Sequence, residues 1–335
     1  MTRARLRAPY GRGCALLAGG LAAAVALTGG SLGEPPGSRG PADDAGAVRL
    51  LRAAADAARR VPYRGRRYLT VGDARTTSTV VHTPGTGTAY GSVLSPDGIA
   101  ADPPSGPVLS ALLRNYTVRR AAGTRLLGRA AHLVEAHRDG GRVAGRFWLD
   151  AATGLLLRRD LFDVQGRRVV ESGFSRLTIG SGGPQLAARL PSGIWPDRLG
   201  PAARAALRDR GWPLPETLPG RFRLFDARRA ADGAVHLGFS DGLAALSVFV
   251  QPGRLAPGSL SGWHRFGQGL FVRDDDLLHH WAITSGAGYV LTVVTEAPAS
   301  TAVSVAAGLR PRRDAVGARL SRGARRLGSW LDPLD

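Results

Sequence analysis

One segment near the middle of the chain restricts its fold more than any other. Two short apolar runs, Phe147–Leu149 and Leu155–Leu157, flank a polar turn that contains Thr153 and Gly154. Apolar runs on both sides of a glycine-containing turn predict an antiparallel hairpin. A second turn over residues 163–167 leads into another apolar run, so three consecutive strands form a meander that buries one face. The segment offers no nucleophile, base or metal cage, which favours a binding protein over an enzyme.

The N-terminus has the composition of an export signal. Four arginines precede residue 13, and an acid-free apolar run covers residues 14–27, with Ala24-Val25-Ala26 as a cleavage motif. The run is short for a bilayer span, which takes about 20 apolar residues. We expect an extracytoplasmic protein, periplasmic or in the cell envelope. Its N-terminal segment is either cleaved as a signal peptide or kept as a membrane anchor. The only cysteine, Cys14, lies in this segment, so the mature protein would have no disulfide and no thiolate metal site.

The chain is strongly basic. Its formal net charge is +19 at pH 7, and every Lys or Arg position is occupied by arginine. Such a charge favours acidic partners, among them the phosphate headgroups of an anionic membrane surface and acidic protein segments. Nucleic acid is not an expected partner, because the chain is exported. The alternative interpretation is a solvated surface whose charge serves no partner.

Composition and periodicity divide the chain into six parts. Residues 1–30 form the signal peptide or anchor, and residues 31–46, rich in Gly, Pro and Ser, form a flexible spacer. A β domain follows over residues 47–180 and begins with an amphipathic helix that ends near Arg60. The remaining parts are a proline-rich linker with a short helix, a second α+β domain and a basic amphipathic tail, at residues 181–219, 220–309 and 310–335.

Strands dominate both domains. In the first, strand-like runs are separated by Gly, Asp, Pro and Asn, at residues 68–71, 76–83, 88–94, 125–136, 142–150, 155–163 and 168–179. One helix, Val108–Asn115, is predicted between them. Consecutive strands with few helices predict one large antiparallel sheet, strongly curved or half closed. The predicted fold class is α+β and mostly antiparallel β, with a smaller α+β unit at the C-terminal end.

Motifs in both halves match a known family. The first half contains Asn115-Tyr116, Phe147-Trp148-Leu149-Asp150 and Thr153-Gly154-Leu155-Leu156-Leu157. The second half contains Phe239-Ser240-Asp241-Gly242-Leu243 and Thr292-Val293-Val294-Thr295-Glu296-Ala297-Pro298. With these motifs in this order, the chain resembles the MucB/RseB family of regulators of extracytoplasmic sigma factors over residues 47–309.

The resemblance implies both a fold and a function. The first domain would be a half-open curved β-barrel, like the lipoprotein carriers, with helices at its mouth, and the second domain would be smaller. The protein would bind the exported part of a membrane anti-sigma factor, protect it from proteolysis and so keep the sigma factor silent, with a lipid-like ligand relieving the block. The alternative function is a lipid or lipoprotein carrier at the outer face of the membrane. Arg221 departs from the family pattern, which has Gly before Phe222.

Two polar clusters raise the question of chemistry. Asp274–Asp276 with His279 and His280 offer metal ligands, but neighbouring strand residues point to opposite faces, which favours a solvated loop. Ser240 and Asp241 lack the positioned histidine of a hydrolase triad, so a hairpin turn is the favoured interpretation. We therefore predict no catalytic residue, no metal and no cofactor.

The candidate site residues form three sets. The first would line a lipid cavity or, equally, pack in an ordinary core: Phe147, Trp148, Leu149, Leu155, Leu157 and Phe162. The second would bind the partner protein: Phe239, Ser240, Asp241, Gly242 and Leu243. The third would lie on an anionic membrane surface, or form a solvated end: Arg319, Arg322, Arg325, Arg326 and Trp330.

Overall fold

The computed structural model describes most of the chain between Ala42 and Leu309. The described residues are 42–85, 87–90, 106–180, 195, 197–255, 260–267, 269–273, 279–295 and 299–309. The predicted export segment, most of the spacer and the basic tail lie outside them. Within them, four helices occur at α1 Ala45–Arg60, α2 Gly106–Asn115, α3 Pro201–Asp209 and α4 Ala299–Gly308. None of these helices is long and apolar enough to span a bilayer.

The first half of the chain forms one antiparallel sheet. Its eight described strands are β1 Tyr63–Val71, β2 Ala74–Thr83, β3 Gly87–Tyr90, β4 Thr117–Leu126, β5 Arg129–His137, β6 Val143–Asp150, β7 Leu156–Phe162 and β8 Arg168–Ile179. The order across the sheet is β3-β2-β1-β8-β7-β6-β5-β4. Because β3 and β4 lie at opposite edges, the sheet is open and does not close into a barrel.

The predicted central hairpin is present as β6 and β7. In its register, Trp148 lies opposite Arg158. The carboxylate of Asp150 closes the turn by accepting hydrogen bonds from the backbone N and the Oγ1 of Thr153, at 3.0 and 2.7 Å. The guanidinium of Arg129 donates to both oxygens of the same carboxylate, at 2.7 and 3.0 Å. Such local side-chain bonds favour the turn at this point of the sequence.

Helix α1 covers one face of this sheet because its sequence is amphipathic. Asp44 caps the helix, since its Oδ1 accepts a hydrogen bond from the backbone N of Gly46 at 2.7 Å. Ala47, Leu51 and Ala54 are buried along one side of the helix and pack in the core of the sheet. We call the face covered by α1 and α2 the inner face, and the opposite one the outer face.

Two predicted strands differ from those in the structure. β1 begins at Tyr63 and not at residue 68, because Arg64 and Arg66 are exposed and hide the apolar signal. The run predicted over residues 125–136 is two strands, joined where Leu127 has a φ of +54° and Gly128 a φ of +75°. The missed strand β4 is an arginine-rich, largely exposed edge strand without apolar alternation.

The second half forms another antiparallel sheet, over residues 197–295. Its nine described strands are β9 Asp197–Arg198, β10 Thr217–Leu218, β11 Phe222–Arg229, β12 Val235–Ser240, β13 Ala245–Pro252, β14 His264–Arg265, β15 Leu270–Arg273, β16 His280–Gly286 and β17 Tyr289–Thr295. The order is β10-β11-β12-β13-β17-β16-β15-β14, with β9 paired to β11. Helix α4 packs on β15, β16 and β17.

One hydrophobic cluster extends through both halves of the chain. Leu51, Leu112 and Phe147 contribute to it from the first half, and Phe239 and Leu243 from the second. The two sheets are therefore joined by buried apolar contacts as well as by the intervening chain. The predicted fold class, mostly antiparallel β with few helices, is confirmed.

Candidate functional site

The inner face of the first sheet holds part of the predicted cavity set. Phe147 and Leu149 are buried there in the cluster that includes α1 and α2. Leu155 packs in a separate small cluster with Tyr63, and Leu157 is fully buried. Phe147 and Leu149 thus act as core residues beneath the helices, while a lipid cavity at Leu155 and Leu157 stays a prediction.

Trp148 and Phe162 lie on the outer face and cannot line a cavity with Phe147. Successive side chains of a strand point to opposite faces, which separates Trp148 from its neighbour Phe147. The guanidinium of Arg158 stacks over the Trp148 ring at 4.8 Å, and that of Arg146 over the Phe162 ring at 5.3 Å. Both aromatic rings therefore take part in cation–π contacts of the outer face, and this corrects the predicted set.

The outer face also carries a network of paired charges. Arg158 donates to both oxygens of Asp160 at 2.8 Å and lies 3.4 Å from Glu171. Arg168 reaches Glu171 at 3.0 Å, and the hydroxyl of Tyr68 donates to Glu171 at 2.8 Å. Burial, together with the bond to Glu171, raises the pKa of Tyr68 to about 12. Two arginines and two carboxylates thus neutralise each other within the network.

The predicted partner-binding motif, residues 239–243, is buried where the two halves meet. Oγ of Ser240 donates to the carbonyl oxygen of Ala244 at 2.6 Å and accepts from the backbone N of Gly242 at 2.9 Å. Oδ1 of Asp241 accepts from the backbone N of Leu243 and of Ala244, at 2.9 and 2.5 Å. All five motif residues are buried and build a tight turn, and their role in partner binding stays a prediction.

Residues at the end of α2 attach this turn to the first half. The Tyr116 hydroxyl donates to Oδ2 of Asp241 at 2.6 Å, and Nδ2 of Asn115 donates to the Asp241 carbonyl oxygen at 2.8 Å. Arg221 donates to the carbonyl oxygen of Asn115 at 3.2 Å and to Oδ2 of Asp139 at 3.1 Å. Arg221, the residue that departs from the family pattern, therefore bridges the two halves through its guanidinium.

Close packing completes this junction, which we define as the contact of residues 240–244 with α2 and β6. A Cβ built on Gly242 would lie 2.1 Å from the backbone N of Leu112, and one built on Gly145 would lie 2.8 Å from a methyl carbon of Leu243. At Gly242 an added side chain would collide with helix backbone, whereas at Gly145 it would meet the ends of leucine side chains, which can shift. The junction is consequently a fitted surface at Gly242, with no room there for an added methyl group.

Burial shifts the pKa values of three groups at the junction. It raises the pKa of Asp241, although the hydrogen bonds from Tyr116, Ala244 and Leu243 oppose the shift. Burial and the nearby Asp241 raise the pKa of Tyr116 far above its ordinary range. Burial also lowers the pKa of Arg138, whose charge lies near both groups. Tyr116 is therefore a permanent donor to Asp241 at any physiological pH.

A groove of about 270 Å³ opens beside the junction, between α2 and strands β10 and β11. It is lined by Pro107, Ser110, Ala111, Arg114, Glu216, Thr217, Arg223, Leu224, Phe225 and Ser240. Arg114 and Arg223 are exposed and form no ion pair within the described part of the chain. Glu216 instead pairs with Arg204 and Arg208, at 3.3 and 2.6 Å. The groove thus offers two guanidiniums to an acidic ligand.

Most of this groove escaped prediction from sequence. Its walls come from α2 and β11, which lie more than 100 positions apart in the chain, and only Ser240 belongs to a predicted set. The arginines carry no local motif, since each is one of 45 in the sequence. To predict the groove residues, one would have needed to know that α2 packs beside β11.

The candidate chemical clusters have the following outcomes. Across the described ranges, no group of three or more His, Cys, Asp or Glu side chains is placed to hold a metal ion. Asp274–Asp276 lie outside those ranges, and His280 begins β16. The tail candidates also lie outside them, and their membrane role stays a prediction: Arg319, Arg322, Arg325, Arg326 and Trp330.

Known proteins share parts of this sequence and fold. The sigma factor AlgU regulatory protein MucB of Pseudomonas aeruginosa is 31% identical over 202 residues, which are 58% of this chain and 61% of that relative's length. A crystal structure of MucB is 22% identical and covers 80% of this chain and 99% of its own, with a TM-score of 0.50. A structure of MucB in complex with MucA(peri) is 22% identical and covers 78% of this chain and 97% of its own, with a TM-score of 0.47.

A family model gives the assignment of the first half. Residues 96–198 match the MucB/RseB N-terminal domain, a range that contains α2 and strands β4 to β8. The central hairpin and the Asn115-Tyr116 motif fall within this match. The predicted resemblance is therefore confirmed over these residues, which match the model of the MucB/RseB N-terminal domain.

Proposed function

We propose that this chain is an exported, non-enzymatic negative regulator of a sigma factor. It binds the exported part of a membrane anti-sigma factor and protects that part from proteolysis, which keeps the sigma factor silent. The proposal depends mainly on the 31% identity, over 202 residues, to a protein named as a regulator of the sigma factor AlgU. The basic and apolar N-terminal composition supports a location outside the cytoplasm.

The groove beside the junction is the proposed contact for the anti-sigma factor. Arg114 extends from the α2 wall and Arg223 from the β11 wall. Guanidiniums bind carboxylates through paired hydrogen bonds, so an acidic stretch of the partner suits these walls. The hydrogen bond between Tyr116, which follows α2, and Asp241, which follows β12, links the two halves beside the groove. Ser240 of the predicted motif lines the groove, and the other residues of that motif support the binding site from behind.

A lipid-like ligand that relieves the block belongs to the same proposal. Leu155 and Leu157 are its proposed contacts, since Phe147 and Leu149 already pack beneath α1 and α2. Helix α2 lies both on the inner face and along the groove. A ligand that displaced α2 from the sheet would therefore disturb the partner site without touching it.

Binding of purified exported anti-sigma domains to the full chain tests the function. We expect a retained complex in which the anti-sigma domain resists a protease that cleaves it when free. The variant Arg114→Glu/Arg223→Glu should bind at least about tenfold more weakly, because charge-assisted hydrogen bonds contribute about 1.5–3 kcal/mol each. The matched control Arg49→Glu/Arg52→Glu changes the net charge equally at exposed positions of α1.

The possible results distinguish the proposed function from the proposed binding site. If the folded wild-type chain retains and protects no exported anti-sigma domain, the proposed function is wrong. If the groove variant binds as tightly as the control variant, the function stands and the groove is the wrong site.

A further inference from the structure

The outer face of the first sheet contains a second basic site that the proposed function does not use. Arg64 and Arg66 alternate along β1 with inner-face residues, and Arg176 projects from the neighbouring strand β8. All three side chains are exposed. We call these three residues the arginine patch.

The patch brings like charges together on adjacent strands. Arg66 lies directly opposite Arg176 in the β1–β8 register, and Arg64 follows two positions along the same face. Side chains directly opposite in an antiparallel pair have Cβ atoms about 5 Å apart, and like charges there destabilise the sheet. None of the three arginines forms an ion pair with a residue that the structure describes. The repulsion is therefore left without an internal counter-charge.

Other arginines of the same face have acidic partners. Arg158 pairs with Asp160 at 2.8 Å, and Arg168 pairs with Glu171 at 3.0 Å. Arg146 pairs with a carboxylate on the neighbouring strand in the same way, at 2.7 Å. The three arginines of the patch have no such partner among the described residues, which leaves them open to an external anion.

We propose that the arginine patch docks the outer face onto a bilayer surface rich in anionic phospholipids. The three guanidiniums stand on an open sheet face, where several headgroups can reach them at once. Guanidiniums bind phosphate oxygens in paired geometry, and each basic residue near an anionic surface contributes about 1 kcal/mol. Trp148 is partly exposed on β6 of the same face, and tryptophan favours the bilayer interface.

Vesicle partitioning of the full chain tests the proposal. The vesicles contain phosphatidylglycerol mixed with phosphatidylcholine, or phosphatidylcholine alone, so that binding through the N-terminal apolar segment is common to both. We expect tighter binding to the anionic vesicles, lost at high salt. The variant Arg64→Glu/Arg66→Glu/Arg176→Glu should weaken that binding by about 100-fold, from about 1 kcal/mol for each arginine.

A matched control carries the same change of charge elsewhere. Arg49→Glu/Arg52→Glu/Arg210→Glu alters three exposed arginines on α1 and after α3, and it should keep most of the anionic binding. The single variant Arg176→Glu separates docking from folding. It places a carboxylate opposite Arg66 and should therefore raise the midpoint of thermal unfolding while it weakens vesicle binding.

Three results would overturn the proposal. One is equal wild-type binding to anionic and neutral vesicles. Another is equal loss of binding in the patch variant and in the control. The third is a patch that binds acidic peptides or free inorganic phosphate but no vesicle, because the partner would then not be a membrane.

Discussion

Replacement of Gly242 by alanine tests the junction most directly. This glycine has a φ of +103°, and an added Cβ would lie 2.1 Å from the backbone N and 2.2 Å from the Cα of Leu112. An ordinary contact needs at least 3.4 Å, so the turn and α2 must move apart. The atoms that collide are backbone atoms of a helix, which cannot turn away as a flexible side chain can.

The expected cost has two parts, and a control variant separates them. Alanine at positive φ costs roughly 1–2 kcal/mol, and overpacking costs about 1–3 kcal/mol more. Gly288 has a φ of +87° and no atom within 4 Å of an added Cβ, so Gly288→Ala carries only the first cost. We expect Gly242→Ala to be destabilised by about 1–3 kcal/mol relative to Gly288→Ala.

Calorimetry of the two variants gives the measurement. The expected difference of about 1–3 kcal/mol corresponds to an unfolding midpoint lower by roughly 2–12 °C, at about 2–4 °C per kcal/mol for units of 150–250 residues. Small-angle scattering should show a larger radius of gyration for Gly242→Ala alone, because the two halves separate. Equal midpoints and equal radii for the two variants would refute the fitted junction.

Three further predictions concern the core and its titration. Tyr116→Phe removes the hydrogen bond that the tyrosine hydroxyl donates to Oδ2 of Asp241 and should lower the free energy of unfolding by about 1.5–3 kcal/mol in urea titrations. Burial lowers the pKa of His236 to about 4, below the unfolded value of about 6.5, so stability is lost as pH falls from 6.5 towards 4. This loss in the free energy of unfolding amounts to at most about 3 kcal/mol between pH 7 and pH 4. His236→Gln should reduce the loss, which unfolding curves at the two pH values measure. Leu51→Ala should cost about 2–5 kcal/mol by calorimetry, because Leu51 is 1% exposed beneath the sheet.

Local patterns were sufficient to predict much of the first sheet. The two apolar runs around Thr153 and Gly154 have the spacing of a hairpin, and the structure pairs them as β6 and β7. The helix predicted at residues 47–60 is α1, because its apolar residues recur on one side. Periodicity failed at β4, since an exposed edge strand buries too few side chains to alternate.

The faces of the strands could have been assigned better from sequence. Trp148 and Phe147 are neighbours in one strand, so only one of them can face a shared cavity. The prediction placed both residues in one cavity set, whereas the ring of Trp148 lies on the outer face, where arginines stack on aromatic rings. Long arginine side chains can cover apolar rings in this way without any apolar partner.

The junction could not be predicted, because its contacts are distant in the chain. Asp241 accepts its bond from Tyr116, 125 positions away, and Gly242 meets Leu112 at a similar separation. The short Ser240-Asp241-Gly242 motif indicated a turn, which is present. The sequence contained no information on what would pack against that turn.

The junction and the groove share α2, which couples the stability of one to occupancy of the other. A partner that binds only the joined arrangement stabilises it by about 2.7 kcal/mol at 100 times its dissociation constant. That gain is similar to the cost of about 1–3 kcal/mol that overpacking by the added methyl group should have in Gly242→Ala. Binding of the proposed anti-sigma partner should therefore restore the compact radius of the variant. By reciprocity, Gly242→Ala must weaken partner binding, although position 242 lies behind the groove and touches no ligand.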